Sequence, residues 1–225
     1  MVKLRAAILI SITVILFTVG VRVWSDSAAP VVTLPASTQR EVALAVLRTT
    51  GYGVTHSQRD DLTPNHILAA RIEGGEDVQL TCGYVSALSV DLLAQVGIES
   101  RRVMMLTKAE YDGNNGHTAM ETSIGGEWYF TDPDFGRLYH QTADSLRAGR
   151  GEWTEIGEQY ADPEDPAVYP RHVDNGVVGI EDGDHVVFDC EDMRPDLIQH
   201  VLDYAPNYYQ CLAHDEWIER FYGQD

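Results

Sequence analysis

The chain's 225 residues, 44% of them hydrophobic, suffice for a domain with a real core and exclude a disordered chain. Sixteen lysines and arginines face 35 aspartates and glutamates, and the resulting net charge of −19 excludes a phosphate-backbone binder, which needs clustered basic residues. The cysteines are Cys82, Cys190 and Cys211: too few for a disulfide scaffold, and odd in number, so one thiol is left over if two pair.

Lys3 and Arg5 precede residues 6–21, an uncharged run dominated by Ile, Leu, Val and Ala. A basic start followed by an apolar segment predicts an export signal. At ~1.5 Å per residue the run spans roughly 24 Å, slightly short of a ~30 Å hydrocarbon core, and Arg22 and Trp24 extend it to the interface. Two readings follow. Residues 1–29 are an uncleaved anchor, or a signal peptide cleaved near Ser27-Ala28-Ala29. Either way the basic end stays inside and residues 30–225 are exported, facing the periplasm or the extracellular side. Removing residues 1–29 takes Lys3, Arg5, Arg22 and Asp26 with it, leaving 13 basic and 34 acidic residues, a charge of −21. Residues 29–37, with two prolines, read as a tether.

Three helices are predicted next. Thr38 and Glu41 have capping-box spacing ahead of Val42, Leu44, Val46 and Leu47, and Gly51 ends the run. Thr63-Pro64 supplies a cap and a first-turn proline for a helix through Ile67, Leu68 and Ile72 that ends at Gly74-Gly75. The third opens at Thr81-Cys82, carries Val85, Leu88, Leu92 and Val96, and stops at Gly97. Residues 102–106 then read as a strand, followed by a polar loop, Asp112-Gly113-Asn114-Asn115-Gly116. Residues 118–124 and 127–131 flank Gly125-Gly126, a two-residue hairpin signal. A helix is expected within 143–160, a Pro-rich stretch at 163–170, a second hairpin from 177–180 and 185–188, and helices over 196–204 and 215–222. Helices followed by antiparallel strands predict an α+β fold. The core lies at about 60–136, with a carboxy-terminal extension at 137–225.

Cys82 sits where a nucleophile belongs. At a helix start the unpaired N–H groups and the macrodipole favour thiolate over thiol. Gly83 removes a side chain beside the sulfur. The hairpin register can be worked out. If Gly125-Gly126 is the turn, Ile124 opposes Glu127 and Ala119 opposes Asp132. His117 then shares a face with Asp132 as its diagonal cross-strand neighbour, within reach of an imidazole N–H. Together Cys82, His117 and Asp132 fit a thiol triad of nucleophile, general base and orienting acid. The Cys82 backbone N–H and the Gln79 side-chain amide are candidate oxyanion donors.

The stretches Thr81-Cys82-Gly83, Leu92-Leu93-Ala94-Gln95-Val96-Gly97-Ile98-Glu99-Ser100-Arg101-Arg102-Val103, Gly116-His117-Thr118-Ala119-Met120-Glu121 and Gly126-Glu127-Trp128-Tyr129-Phe130-Thr131-Asp132-Pro133 resemble, in order and spacing, the transglutaminase-like superfamily of cysteine enzymes. The resemblance covers roughly residues 75–136. It implies a papain-like core of helices packed on an antiparallel sheet, with Cys82 as nucleophile, His117 as base and Asp132 as orienting acid. Gly83 stands where relatives often carry an aromatic residue, Thr118-Ala119 replaces the usual small residue and Trp after the histidine, and Leu80-Thr81 stands upstream of the cysteine in place of a glycine. These differences concern the substrate cleft.

His56, His66, His140, His172, His185, His200 and His214 show no paired metal spacing, so neither metal nor cofactor is expected. Glu181-Asp182-Gly183-Asp184 reads as a solvated turn rather than a calcium loop. Trp153, Tyr160 and Tyr169 belong to a segment placed to cover the cleft or to pack in the core. Cys190 and Cys211 enclose 20 residues and either bridge, adding roughly 3 kcal/mol in an oxidising compartment, or are buried as separate thiols. The expected function is that of an exported, membrane-tethered or secreted cysteine enzyme cleaving amide bonds of a protein or peptide through a thioester. Hydrolysis is favoured over transfer. The competing reading is an inactive module that binds peptide or glycan in the same cleft.

Overall fold

The computed structural model describes residues 34–57, 63–107, 116–134, 137–139, 141–147, 153–155, 176–191, 193, 195–204 and 207–223. The apolar amino-terminal segment, residues 112–115, His140, Tyr160, the acidic 162–165 stretch, Tyr169 and His172 lie outside these residues. Among the described residues no helix is long and apolar enough to cross a membrane.

Helix α1 (Ala36–Gly53) starts two residues before the expected capping box. Pro35 is its N-cap, and Gln39 organises the start: its amide donates to the Leu34 carbonyl at 3.0 Å and its Oε1 accepts from Gly125 N–H at 2.7 Å. The helix also runs through Gly51 to Gly53, because burial of Val42, Ala43, Val46, Leu47 and Thr50 on one stripe outweighs a single glycine's helix penalty of about 1 kcal/mol. Gly53 is required where it is: a Cβ there would lie 2.1 Å from Ile72 Cγ2.

Strand β1 (Val54–His56) follows, then α2 (Asn65–Glu73) with Pro64 as N-cap, one position before the expected first-turn place. β1 pairs in parallel with β2 (Val78–Leu80), in register Val54↔Val78 and Thr55↔Gln79. This small sheet feeds straight into α3 (Cys82–Gln95), which buries Val85, Leu88 and Leu93. Two serines on its inner face stay satisfied. Ser86 donates to the Thr118 carbonyl at 3.0 Å, and the Ser89 hydroxyl lies 2.9 Å from the Val85 carbonyl and 3.1 Å from the Thr50 hydroxyl.

The main sheet comprises β3 (Ser100–Thr107), β4 (Gly116–Ile124), β5 (Glu127–Asp132), β6 (Arg137–Tyr139), β7 (Trp153–Glu155), β8 (Gly176–Asp182), β9 (His185–Asp189) and β10 (Tyr209–Leu212). Their order is β10-β9-β8-β3-β4-β5-β6-β7. All pairs are antiparallel except β9–β10, which is parallel. Strands β8, β9 and β10 of the carboxy-terminal segment extend the sheet beside β3, and β6 and β7 extend it beside β5. The helix expected across 143–160 is α4 (Ala143–Arg147), with strand β7 further along. The last helices are α5 (Pro195–Tyr204) and α6 (His214–Tyr222).

Alternation along the strands gives the sheet two apolar faces. Met120, Ile124 and Leu138 pack under α1 and α3 with Leu47, Leu93 and Ile98. Val103, Met105, Ala119, Phe130 and Val178 face the opposite way, onto Trp217 and Phe221 of α6. Trp217 is fully buried and its indole N–H donates to the Val187 carbonyl at 2.8 Å. The fold is α+β, with helices on both faces of one sheet.

Candidate active site

The hairpin register places the first pair of groups. Gly125 and Gly126 adopt φ of 69° and 90°, the left-handed conformation a two-residue turn needs, and Ile124 opposes Glu127. Running the ladder back brings His117, at the start of β4, diagonal to Asp132, at the end of β5. Their side chains meet: His117 Nε2 lies 2.7 Å from Asp132 Oδ2. Asp132 is fully buried, and its other oxygen accepts the Asp134 backbone N–H at 3.1 Å. The carboxylate is thus aimed at the ring from a fixed position.

Cys82 arrives from the other side, as the first residue of α3. Thr81 caps the helix in extended conformation, and its carbonyl accepts the N–H groups of Tyr84 and Val85. The N–H groups of Cys82 and Gly83 therefore fall outside the helix's own ladder. The Ser86 bond to the Thr118 carbonyl fastens this first turn to the strand residue next to His117. As a result the half-buried Cys82 thiol is hydrogen-bonded to His117 and to the backbone N–H of Thr118. Nε2 is the ring nitrogen that meets Asp132, and the same ring is hydrogen-bonded to the sulfur.

The electrostatics favour an ion pair. For the thiol, burial pushes towards the neutral form, but the His117 hydrogen bond and charge, aided by the Thr118 N–H, outweigh it and lower the pKa from its ordinary 9.0. For His117, burial likewise opposes charge, while the Asp132 carboxylate and then the Cys82 sulfur raise its pKa well above the ordinary 6.5. The imidazolium's share of stability is complete below pH 6.5 and lost as pH rises through the raised folded value; the thiolate's share is present above pH 9.0 and lost as pH falls through the lowered one. Both shifts run in the same direction, towards a thiolate beside an imidazolium.

Two participants gave no signal at the level of residue pattern. Thr118 acts through its backbone N–H, which any residue carries. Asp134 is buried and its charge opposes the thiolate. Gly83 faces the Thr81 and Thr118 hydroxyls, which a Cβ there would meet at 3.8 and 3.9 Å, an ordinary contact. Gln79 is exposed in the middle of β2, between buried Val78 and Leu80, and is not among the groups that shift the thiol. Away from this site Cys190 and Cys211 form a disulfide, S–S 2.05 Å, leaving Cys82 as the free cysteine.

No protein-family model matches the chain, and no curated protein matches it. Among solved structures it is similar to a Cytophaga hutchinsonii protein provisionally assigned as a cysteine protease, at 17% sequence identity and a TM-score of 0.29. The match covers 44% of this chain, which spans 39% of that protein's length.

Proposed function

We propose that the protein is a cysteine enzyme of transglutaminase-like type that cleaves amide bonds of a protein or peptide, with water as the favoured acceptor. One observation carries the reading: the unbroken hydrogen-bond chain from Cys82 through His117 to Asp132. The Cys82 thiolate attacks the amide carbon, a C–S bond forms, and the carbonyl π pair moves onto oxygen. The N–H groups of Cys82 and Gly83 at the head of α3 are the oxyanion donors. The intermediate collapses with loss of the C–N bond, and the His117 imidazolium gives its proton to the leaving amine. His117, now neutral, takes a proton from water, which attacks the thioester carbonyl. Collapse breaks the C–S bond, releases the acid and returns the sulfur to its thiolate beside the His117 imidazolium, which already holds the proton from water, restoring the pair. Asp132 keeps the ring in the tautomer and orientation that both proton transfers require.

The export signal at residues 1–29, as anchor or cleaved leader, makes this an extracytoplasmic enzyme. The Cys190–Cys211 disulfide supports an oxidising compartment. The test is to incubate wild type and Cys82→Ala with a library of peptide amides and follow amine release together with the intact mass of the protein. Wild type is expected to release amine and to accumulate a thioester adduct on Cys82 that hydroxylamine removes. Equal amine release by Cys82→Ala, or ligand capture by wild type with no adduct and no turnover, overturns the enzyme reading; the second result assigns a binding module instead.

A further inference from the structure

We propose that Asp144, Asp189 and His214 form a binding site for a divalent transition metal of the zinc class. Their donor atoms all lie within 4.8 Å of one another, although the residues come from α4, the end of β9 and the start of α6. His214 Nδ1 is 2.8 Å from Asp189 Oδ2, and Asp189 is only 1% exposed.

The chemistry of the donor set selects the ion. An imidazole beside two carboxylates suits zinc or a neighbouring first-row ion, whereas calcium and magnesium prefer oxygen throughout. Three protein ligands leave a coordination position for water.

The site is also held rigidly, which a metal centre requires. Asp189 is paired with Leu212 across the parallel β9–β10 ladder, and the disulfide between Cys190 and Cys211 ties the same two segments covalently. Cys190 N–H donates to the Leu212 carbonyl at 3.0 Å, which sets His214 two residues further along. The Glu191 N–H donates to Asp189 Oδ1 at 3.2 Å, while the Glu191 carboxylate accepts the His214 N–H at 3.1 Å. The backbone thus holds one oxygen of Asp189 from outside the donor set while the other faces the His214 ring. The third donor is fixed through its neighbour: Ala143 is buried in the α6 cluster and its N–H donates to Glu121 Oε1 at 2.7 Å.

Register locates the site relative to the triad. His117 opposes Met105, which opposes Val178. Extending the Gly179↔Phe188 pairing by one residue sets Asp189 opposite Val178. Asp189 therefore stands in the same row and on the same sheet face as His117, three strands away, or ~14 Å at ~4.8 Å per strand. A metal there staples α4 and α6 over the face that carries His117, without touching the thiol.

The experiment uses the full-length chain carrying Cys82→Ser, which removes the competing thiolate, after treatment with EDTA. Co²⁺ is titrated in and followed by its visible absorption, then displaced by Zn²⁺, and Tm is measured with and without metal. The expected result is one Co²⁺ per chain, displaced by Zn²⁺, with a metal-dependent rise in Tm. Asp144→Asn and His214→Gln, checked for folding by circular dichroism, are expected to weaken binding by at least about tenfold. Binding weaker than about 1 mM, or equal affinity in both variants, overturns the site and leaves a His214–Asp189 ion pair only. Neither outcome bears on turnover at Cys82.

Discussion

Replacing Asp132 with alanine tests the electrostatic logic of the candidate site most directly. His117 is buried, and burial alone favours its neutral form; Asp132 is the largest influence that keeps it charged. The 2.7 Å contact between His117 Nε2 and Asp132 Oδ2 is a charge-assisted hydrogen bond, worth about 1.5–3 kcal/mol. Since about 1.4 kcal/mol is a factor of ten, its loss shifts the balance between the thiolate–imidazolium pair and the neutral pair by about 10- to 150-fold. The thiolate is the species that alkylates, so the rate of iodoacetamide labelling at Cys82 near neutral pH falls accordingly, and its inflection moves up towards pH 9.0. The assay is labelling across pH, read by mass spectrometry, with Cys82→Ser as the blank; the disulfide-bonded Cys190 and Cys211 do not contribute. Circular dichroism confirms that the variant is folded before rates are compared. A labelling rate within about twofold of wild type, with the same inflection, refutes the proposal that Asp132 sustains the ion pair.

Asp134→Asn is expected to act with the opposite sign: its charge opposes the thiolate, so labelling of Cys82 at a fixed pH below the inflection speeds up a few-fold. Replacing both Cys190 and Cys211 with serine opens a loop with a sequence separation of 21 and costs about 3 kcal/mol, or about 6–12 °C in Tm by calorimetry. Arg101→Met strands the fully buried Glu121 carboxylate, which Arg101 contacts through Nε at 2.9 Å and Nη2 at 2.7 Å. That variant is expected to lose about 3–5 kcal/mol in urea denaturation. The Tyr222 hydroxyl also donates to Glu121, and its pKa is raised well above 10.0, by burial first and then by Glu121. Arg101 opposes that rise, so in Arg101→Met the phenol resists ionisation further, as ultraviolet titration would show.

What could be read from the sequence was set by local rules. A two-residue glycine turn fixes a hairpin register, and a period of two then decides which side chains share a face, so the His117–Asp132 diagonal followed from residue numbers alone. Cys82 at a helix head, the 82–95 helix and the 183–184 turn were legible for the same reason. Tertiary structure decided everything that depends on which distant segments meet. Strands of three or four residues, β1, β2, β6, β7 and β10, carry too little periodicity to stand out and form because neighbours offer them partners. α1 starts ahead of its capping-box pattern because Gln39 binds the Gly125 turn, a contact across 86 residues that no capping pattern contains. The meeting of Cys82 with His117 depends on α3 docking on β4, through the Ser86 bond to Thr118 and the apolar face beneath it. The cluster of Asp144, Asp189 and His214 has no sequence spacing at all: β10 lying parallel to β9, and the disulfide across them, bring its members together.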